Sequence, residues 1–117
     1  MIFSVLQVAL GGAVGSVLRY LTSLLVGAPL ATLVVNVVGS FAMGLLFILL
    51  ASRTQLPPLL MTGLLGGFTT FSAFSLDALR LWQAGQAGQA ALYVVGTVTL
   101  SLAGVVLGVM FGRGLVA

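Results

Sequence analysis

Cysteine, histidine, lysine and glutamate are all missing from this 117-residue chain, and its one acid is Asp77. Without cysteine there is no disulfide, no thiol nucleophile and no zinc–thiolate site. Without histidine, and with one carboxylate, most acid–base, hydrolytic and metal-dependent chemistry has no residue to carry it, so the chain is not expected to be an enzyme. Charge of either sign is scarce at 4% of residues, whereas about a quarter of an ordinary soluble domain is charged. The four cations, Arg19, Arg53, Arg80 and Arg113, give a net +3 but are scattered along the chain. They do not make the basic patch that tracks a nucleic-acid backbone. In place of charge the chain is 61% hydrophobic. So few charges cannot cover a soluble fold of this size, and the chain belongs in a lipid bilayer.

The charges divide the sequence into uncharged runs at 2–18, 20–52, 54–76 and 81–112. A spanning helix needs about 20 apolar residues, so the second and last runs exceed one span and turn signals decide where they break. Gly27-Ala28-Pro29 marks one connection. Ser52-Arg53-Thr54-Gln55 followed by Pro57-Pro58 marks another, with a helix starting at the prolines. Gln83-Ala84-Gly85-Gln86-Ala87-Gly88-Gln89 is the third, and the only clearly polar stretch. The sequence therefore predicts one all-α membrane domain over 1–117, with transmembrane helices over about 2–26, 30–52, 57–82 and 88–113. Residues 1–15 lack a basic leader region, so a signal peptide is not expected. Valine-rich patches lack the alternation of barrel strands.

With four spans the N-terminus, the 53–56 loop and the C-terminus share one side, which carries Arg53 and Arg113. Arg80 lies on the other side, and Arg19 toward that end of the first helix. Orientation follows the cation imbalance between short loops, and two against two gives none. Two readings stay open: insertion both ways with an antiparallel dimer as the working unit, or a small bias hidden from the charge count. A chain this small struggles to enclose a pathway alone, which favours the dimer. Gly11, Gly12, Gly15 and Ser16 in the first helix, with Gly104, Gly108 and Gly112 in the fourth, are spaced for close helix packing within or between subunits.

Polar groups at membrane depth are costly and point to function. Asn36 falls near the middle of the second helix, with Thr32 one turn before and Ser40 one turn after. Tyr93, Thr97 and Ser101 form a polar stripe on one face of the fourth. A lone hydroxyl is satisfied by its own helix, but three in register beside an amide read either as a hydrated ion track or as interhelical hydrogen bonding. The third helix contains Gly66-Gly67-Phe68-Thr69-Thr70, a poor helix interior. It reads as a kink or as a break in mid-membrane, which lipid tolerates only where the backbone is buried in protein or lines a cavity. Freed carbonyls of such a break coordinate cations. Beyond it Phe71 and Phe74 share a face, with Ser72 and Ser75 beside them. Two phenylalanines so placed are ordinary packing, or rings whose weakly positive edges meet a small anion.

The segments Gly11-Gly12-Ala13-Val14-Gly15-Ser16-Val17-Leu18-Arg19-Tyr20, Thr32-Leu33-Val34-Val35-Asn36-Val37-Val38-Gly39-Ser40 and Gly63-Leu64-Leu65-Gly66-Gly67-Phe68-Thr69-Thr70-Phe71-Ser72-Ala73-Phe74-Ser75, with the Tyr93/Thr97/Ser101 stripe, resemble the Fluc (CrcB-type) fluoride channels. The similarity runs in order along nearly the whole chain, and the third segment is its most specific part. It implies a dual-topology homodimer with two antiparallel pores, multi-pass in the bacterial cytoplasmic (inner) membrane, that passively exports fluoride and reduces its toxicity. By the same resemblance the pore residues are Asn36, Phe71, Ser72, Phe74, Ser75, Tyr93, Thr97 and Ser101, and a structural sodium ion at the dimer centre is held by main-chain carbonyls of Gly66 and Thr69. Arg19 has two readings, a vestibule charge that gathers anions or a side chain snorkelling to the interface. The chain departs from the family's habit at Phe68, where a smaller aliphatic residue is common, at Ala73 for threonine, and at Asp77 for glutamate. The alternatives are a small multidrug-type exporter, which would need an acid in the first helix, and a non-conducting membrane assembly subunit, which would leave Asn36 and the third segment unexplained.

Overall fold

The computed structural model describes residues 1–117 and is built of helices alone. In order they are α1 (Ile2–Val26), α2 (Leu30–Leu49), a π-helical stretch (Pro58–Leu65) running into the single turn α3 (Gly66–Phe68), α4 (Phe71–Gln83) and α5 (Ala87–Val116). Four spans are long and apolar enough to cross a membrane: Ile2–Val26, Leu30–Leu49, Pro58–Gln83 and Ala87–Val116. The longest dimension of the molecule is 48 Å, enough to cross a bilayer of about 40–45 Å with its headgroups.

Gly27 and Gly85 have φ of +82° and +80°, a region closed to most side chains. They permit the tight reversals after α1 and α4. Helix α2 stops at Leu49 rather than running to Ser52 as expected from the sequence. Its end tightens into turns, with Ala51 N–H donating to Ile48 O and Arg53 N–H to Leu50 O, where the polar run that can meet water begins. Helix α5 continues past Arg113 to Val116, because an arginine in the last turn favours the helix dipole rather than ending the helix. The π-helical stretch is not foreshadowed in the sequence. Gly66 N–H reaches back five residues to Met61 O, and eight nearly uniform apolar residues carry no period from which a wider turn could be read.

Glycines set the helix contacts, and they do so within one chain. A side chain at Gly15 would strike Leu64 O, and its Cβ would lie 2.8 Å from Phe68 N; at Gly11 it would lie 2.8 Å from Leu64 N. Helix α1 thus rests directly on the π-helical stretch and α3. On the other side of the molecule, a Cβ at Gly108 would lie 2.9 Å from Leu45 N and one at Gly112 2.9 Å from Ile48 Cβ, so α5 lies equally close against α2. In lipid this backbone-to-backbone approach supplies the dispersion energy that holds helices together.

Between Phe68 and Phe71 the third span leaves helical geometry. Thr69 (φ −87°, ψ 157°) and Thr70 (φ −154°, ψ 120°) are extended.

Candidate functional site

Two extended residues inside an apolar span release main-chain groups that need partners. Asn36, about a third of the way along α2, takes both groups of Thr70: its Nδ2 donates to Thr70 O at 3.0 Å and its Oδ1 accepts from Thr70 N–H at 2.8 Å. The Thr70 side chain caps α4 by accepting from Ala73 N–H at 3.1 Å, the usual role of a threonine before a helix. Thr69 N–H and Thr69 Oγ1 both donate to Leu65 O at 3.0 Å. Arg19 Nε, from α1, donates to Gly67 O at 3.1 Å.

The break also costs several carbonyls their helical donors. In a continuous helix Gly66 O would accept from Thr70 N–H and Thr69 O from Ala73 N–H. Both donors are engaged elsewhere, the first by Asn36 and the second by the Thr70 hydroxyl. The oxygens of Gly66 and Thr69 are therefore among the carbonyls that lose their helical donors at the break, as is Phe68 O, whose donor would be Ser72 N–H beyond the two extended residues. Neutral main-chain oxygens at a helix break suit a hard alkali cation. They fit a sodium ion, and the chain has no cluster of three or more His, Cys, Asp or Glu to suit another metal.

Beside the break lies an open groove of about 440 Å³ between α2, α4 and α5, lined by Asn36, Ser40 and Met43 on one wall, Thr69, Thr70, Phe71 and Phe74 on the second, and Thr97 and Ser101 on the third. The hydroxyls of Thr97 and Ser101 are buried and have no hydrogen-bond partner. Such orphans are rare. Asn36 keeps one N–H beyond the one it gives Thr70, so it joins Thr97 and Ser101 among the groove side chains able to donate.

The phenylalanines differ in cover. Phe74 is buried at 7% exposure and tilts against Phe71 (centroids 5.6 Å apart) and Tyr93 (5.3 Å). Phe71 is 77% exposed at the rim of the groove, a ring that only lipid or a second molecule can cover. Ser72 and Ser75 stand off the groove. Ser75 Oγ donates to Phe71 O of its own helix at 2.9 Å, and Ser72 Oγ lies 3.3 Å from Thr70 Oγ1. Tyr93 reaches the groove only through its stacking on Phe74; its hydroxyl faces Asp77 Oδ2 at 3.4 Å. Thr32 Oγ1 donates to the same carboxylate oxygen at 2.7 Å. Asp77 is buried, and this linkage of α2, α4 and α5 through one acid was not anticipated from the sequence, which offers only the helical spacing of Thr32 from Asn36 as a hint. Arg19 does not line the groove. It borders a separate cavity of about 110 Å³ with Tyr20, Ser23, Thr32 and Thr70.

Comparison with known proteins gives a consistent picture. A family model described as "CrcB-like protein, Camphor Resistance (CrcB)" matches residues 6–109. A protein named "Fluoride-specific ion channel FluC" from Paracoccus denitrificans is 55% identical, with 96% of each chain covered. One of the same name from Cereibacter sphaeroides is 56% identical over the full length of both chains. Another from Agrobacterium fabrum is 46% identical, covering 92% of this chain and 94% of the relative.

Proposed function

The chain belongs to this CrcB-like family, and from that membership we infer that it is a fluoride-specific ion channel, a passive membrane pore and not an enzyme. The observation that carries the reading to particular residues is the pair of buried, unpartnered hydroxyls on Thr97 and Ser101, facing a groove shared with Asn36, Phe71 and Phe74. An unpaired buried polar group costs about 1–3 kcal/mol. That cost falls when a hydrated anion passes, because each hydroxyl turns its proton toward it. Fluoride is small and strongly hydrated, so a path for it must replace water with donors: the two hydroxyls, the spare Asn36 N–H and the positive edge of Phe74. Ser72, Ser75 and Tyr93 belong to the ends of the path or to its support.

The working unit is a homodimer of antiparallel chains with two pores. The groove is open along one side and Phe71 is bare at its rim, which supports a second copy as the closing wall. The main-chain oxygens of Gly66 and Thr69, doubled by the partner, hold a sodium ion. When bound, the ion supplies the positive charge that keeps converging carbonyl dipoles together. The location is the cytoplasmic membrane of a bacterium, as the bacterial relatives suggest. Hydrogen fluoride crosses membranes neutral and ionises inside. The membrane potential, about 2.3 kcal/mol per charge per 100 mV, then drives the anion outward with no coupled energy source.

Liposomes containing only this chain, loaded with potassium fluoride and followed with a fluoride electrode, should release fluoride when a potassium ionophore is added. Matched liposomes loaded with chloride should hold their contents. Tight fluoride retention by correctly inserted protein would overturn the reading.

A further inference from the structure

Helix α2 meets the break at two consecutive residues. Asn36 holds the Thr70 main chain at 2.8 and 3.0 Å, and Gly39, one turn on along the same face, lies against Thr69. Gly39 is buried, and a Cβ there would strike Thr69 Cγ2. The next neighbours, Phe68 Cδ2 at 3.4 Å and Thr69 Cβ at 3.8 Å, stand at ordinary contact distance. One methyl therefore accounts for the conflict, unlike at Gly11 and Gly15, where main-chain atoms stand in the way. That methyl is not free to turn aside. Thr69 Oγ1 donates to Leu65 O at 3.0 Å, which selects one of the three staggered positions of the side chain. Of the other two, one swings the hydroxyl onto the new Cβ and the other swings the methyl onto Leu65 O. Both forfeit the bond. The remaining escape, moving α2 outward, stretches the two hydrogen bonds between Asn36 and Thr70.

We propose that Gly39 is a positioning residue for Asn36. Its missing side chain is a notch that seats the Thr69 methyl, and this fit sets how closely α2 approaches the break. At that approach Asn36 bonds both main-chain groups of Thr70 and keeps its spare N–H for the groove, which Asn36, Gly39 and Thr69 line together. The link to fluoride passage rests on the channel reading; the fit between Gly39 and Thr69 does not.

A double-mutant cycle tests the seat. Thr69→Ser removes Cγ2 and retains the hydroxyl and the main-chain groups. Gly39→Ala is made with and without it, and only the effect of Gly39→Ala within each background is read. With Thr69 intact, Gly39→Ala should lower the thermal midpoint in fluoride-free detergent. It should also cut fluoride efflux from liposomes by about tenfold, the scale of one lost hydrogen bond. In the Thr69→Ser background the same change should keep or raise the midpoint, because alanine is the better helix former, and should leave efflux within about twofold. Equal effects in the two backgrounds, or tolerance of Gly39→Ala with Thr69 intact, would overturn the proposal. So would a Thr69→Ser protein that fails to assemble, since the methyl would then carry more than this contact. The expected thermal pattern with efflux unmoved by Gly39→Ala would overturn the positioning of Asn36. If liposomes with the unsubstituted chain retain fluoride, the channel reading falls, and the thermal pattern alone decides the seat.

Discussion

Two kinds of hydroxyl in this protein stand in contrast. Thr22, Ser23 and Ser75 each donate to a carbonyl three or four residues back, the ordinary fate of a helical serine or threonine. Thr97 and Ser101 do not, although both are buried. Removing an unpartnered hydroxyl relieves a cost instead of adding one. Ser101→Ala should therefore keep or raise the thermal midpoint while lowering fluoride efflux from liposomes, a split that a purely structural serine would not give. The ring of Phe74 is tested in the opposite sense. Isoleucine conserves much of its bulk and removes the quadrupole, so Phe74→Ile and Phe71→Ile should abolish efflux while gel filtration still reports the assembled protein. Phe111, 54% exposed near the end of α5, is the control and should tolerate isoleucine. Normal efflux in both pore variants would make the rings simple packing.

At the scale of elements, the third span works because its neighbours repair it. Asn36 in α2 serves both main-chain groups of Thr70, Arg19 in α1 serves Gly67 O, and Thr70 caps α4 itself. Helix α1 can reach the break only because Gly15 lets it lie on Leu64 and Phe68. Gly15→Ala must push that contact apart, at about 1–3 kcal/mol for an overpacked interior. The thermal midpoint should fall, and the sodium protection proposed for the break should weaken with it. Gly88→Ala, where a Cβ would have nothing within 4 Å, should leave both unchanged. Equal tolerance at the two positions would mean that α1 is free to shift.

The whole molecule is a flat arrangement of 48 × 33 × 23 Å with its polar groove open at the side. Its charges set no direction of insertion, since Arg53 and Arg113 at one end face Arg80 and Arg19 toward the other. Orientation follows such counts in short loops. A reporter fused to the C-terminus should therefore be found on both sides of the membrane, and moving one arginine between the ends should tilt the ratio. A reporter confined to one side would exclude an antiparallel dimer.

Much of this architecture is legible without coordinates, for a physical reason. Lipid accepts a span only if about 20 consecutive residues are apolar, and that requirement is additive along the chain, so hydropathy together with the turn signals locates four spans. Turns at Gly27 and Gly85 are equally local, because the backbone angle they adopt is a property of single residues. The weak point at Gly66-Gly67 followed by Thr69-Thr70 is visible on the same ground. What the tertiary structure alone decides is who meets whom. Asn36 and Thr70 are 34 positions apart, Thr32 and Asp77 are 45 apart, and Arg19 and Gly67 are 48 apart. Nothing in composition or spacing pairs them. The same holds for the hydroxyls: Ser72 and Ser75 read from the sequence as well as Thr97 and Ser101 do. Whether a hydroxyl is spent on a neighbour or left facing a groove depends on the helices packed around it, and that packing exists only in the folded chain.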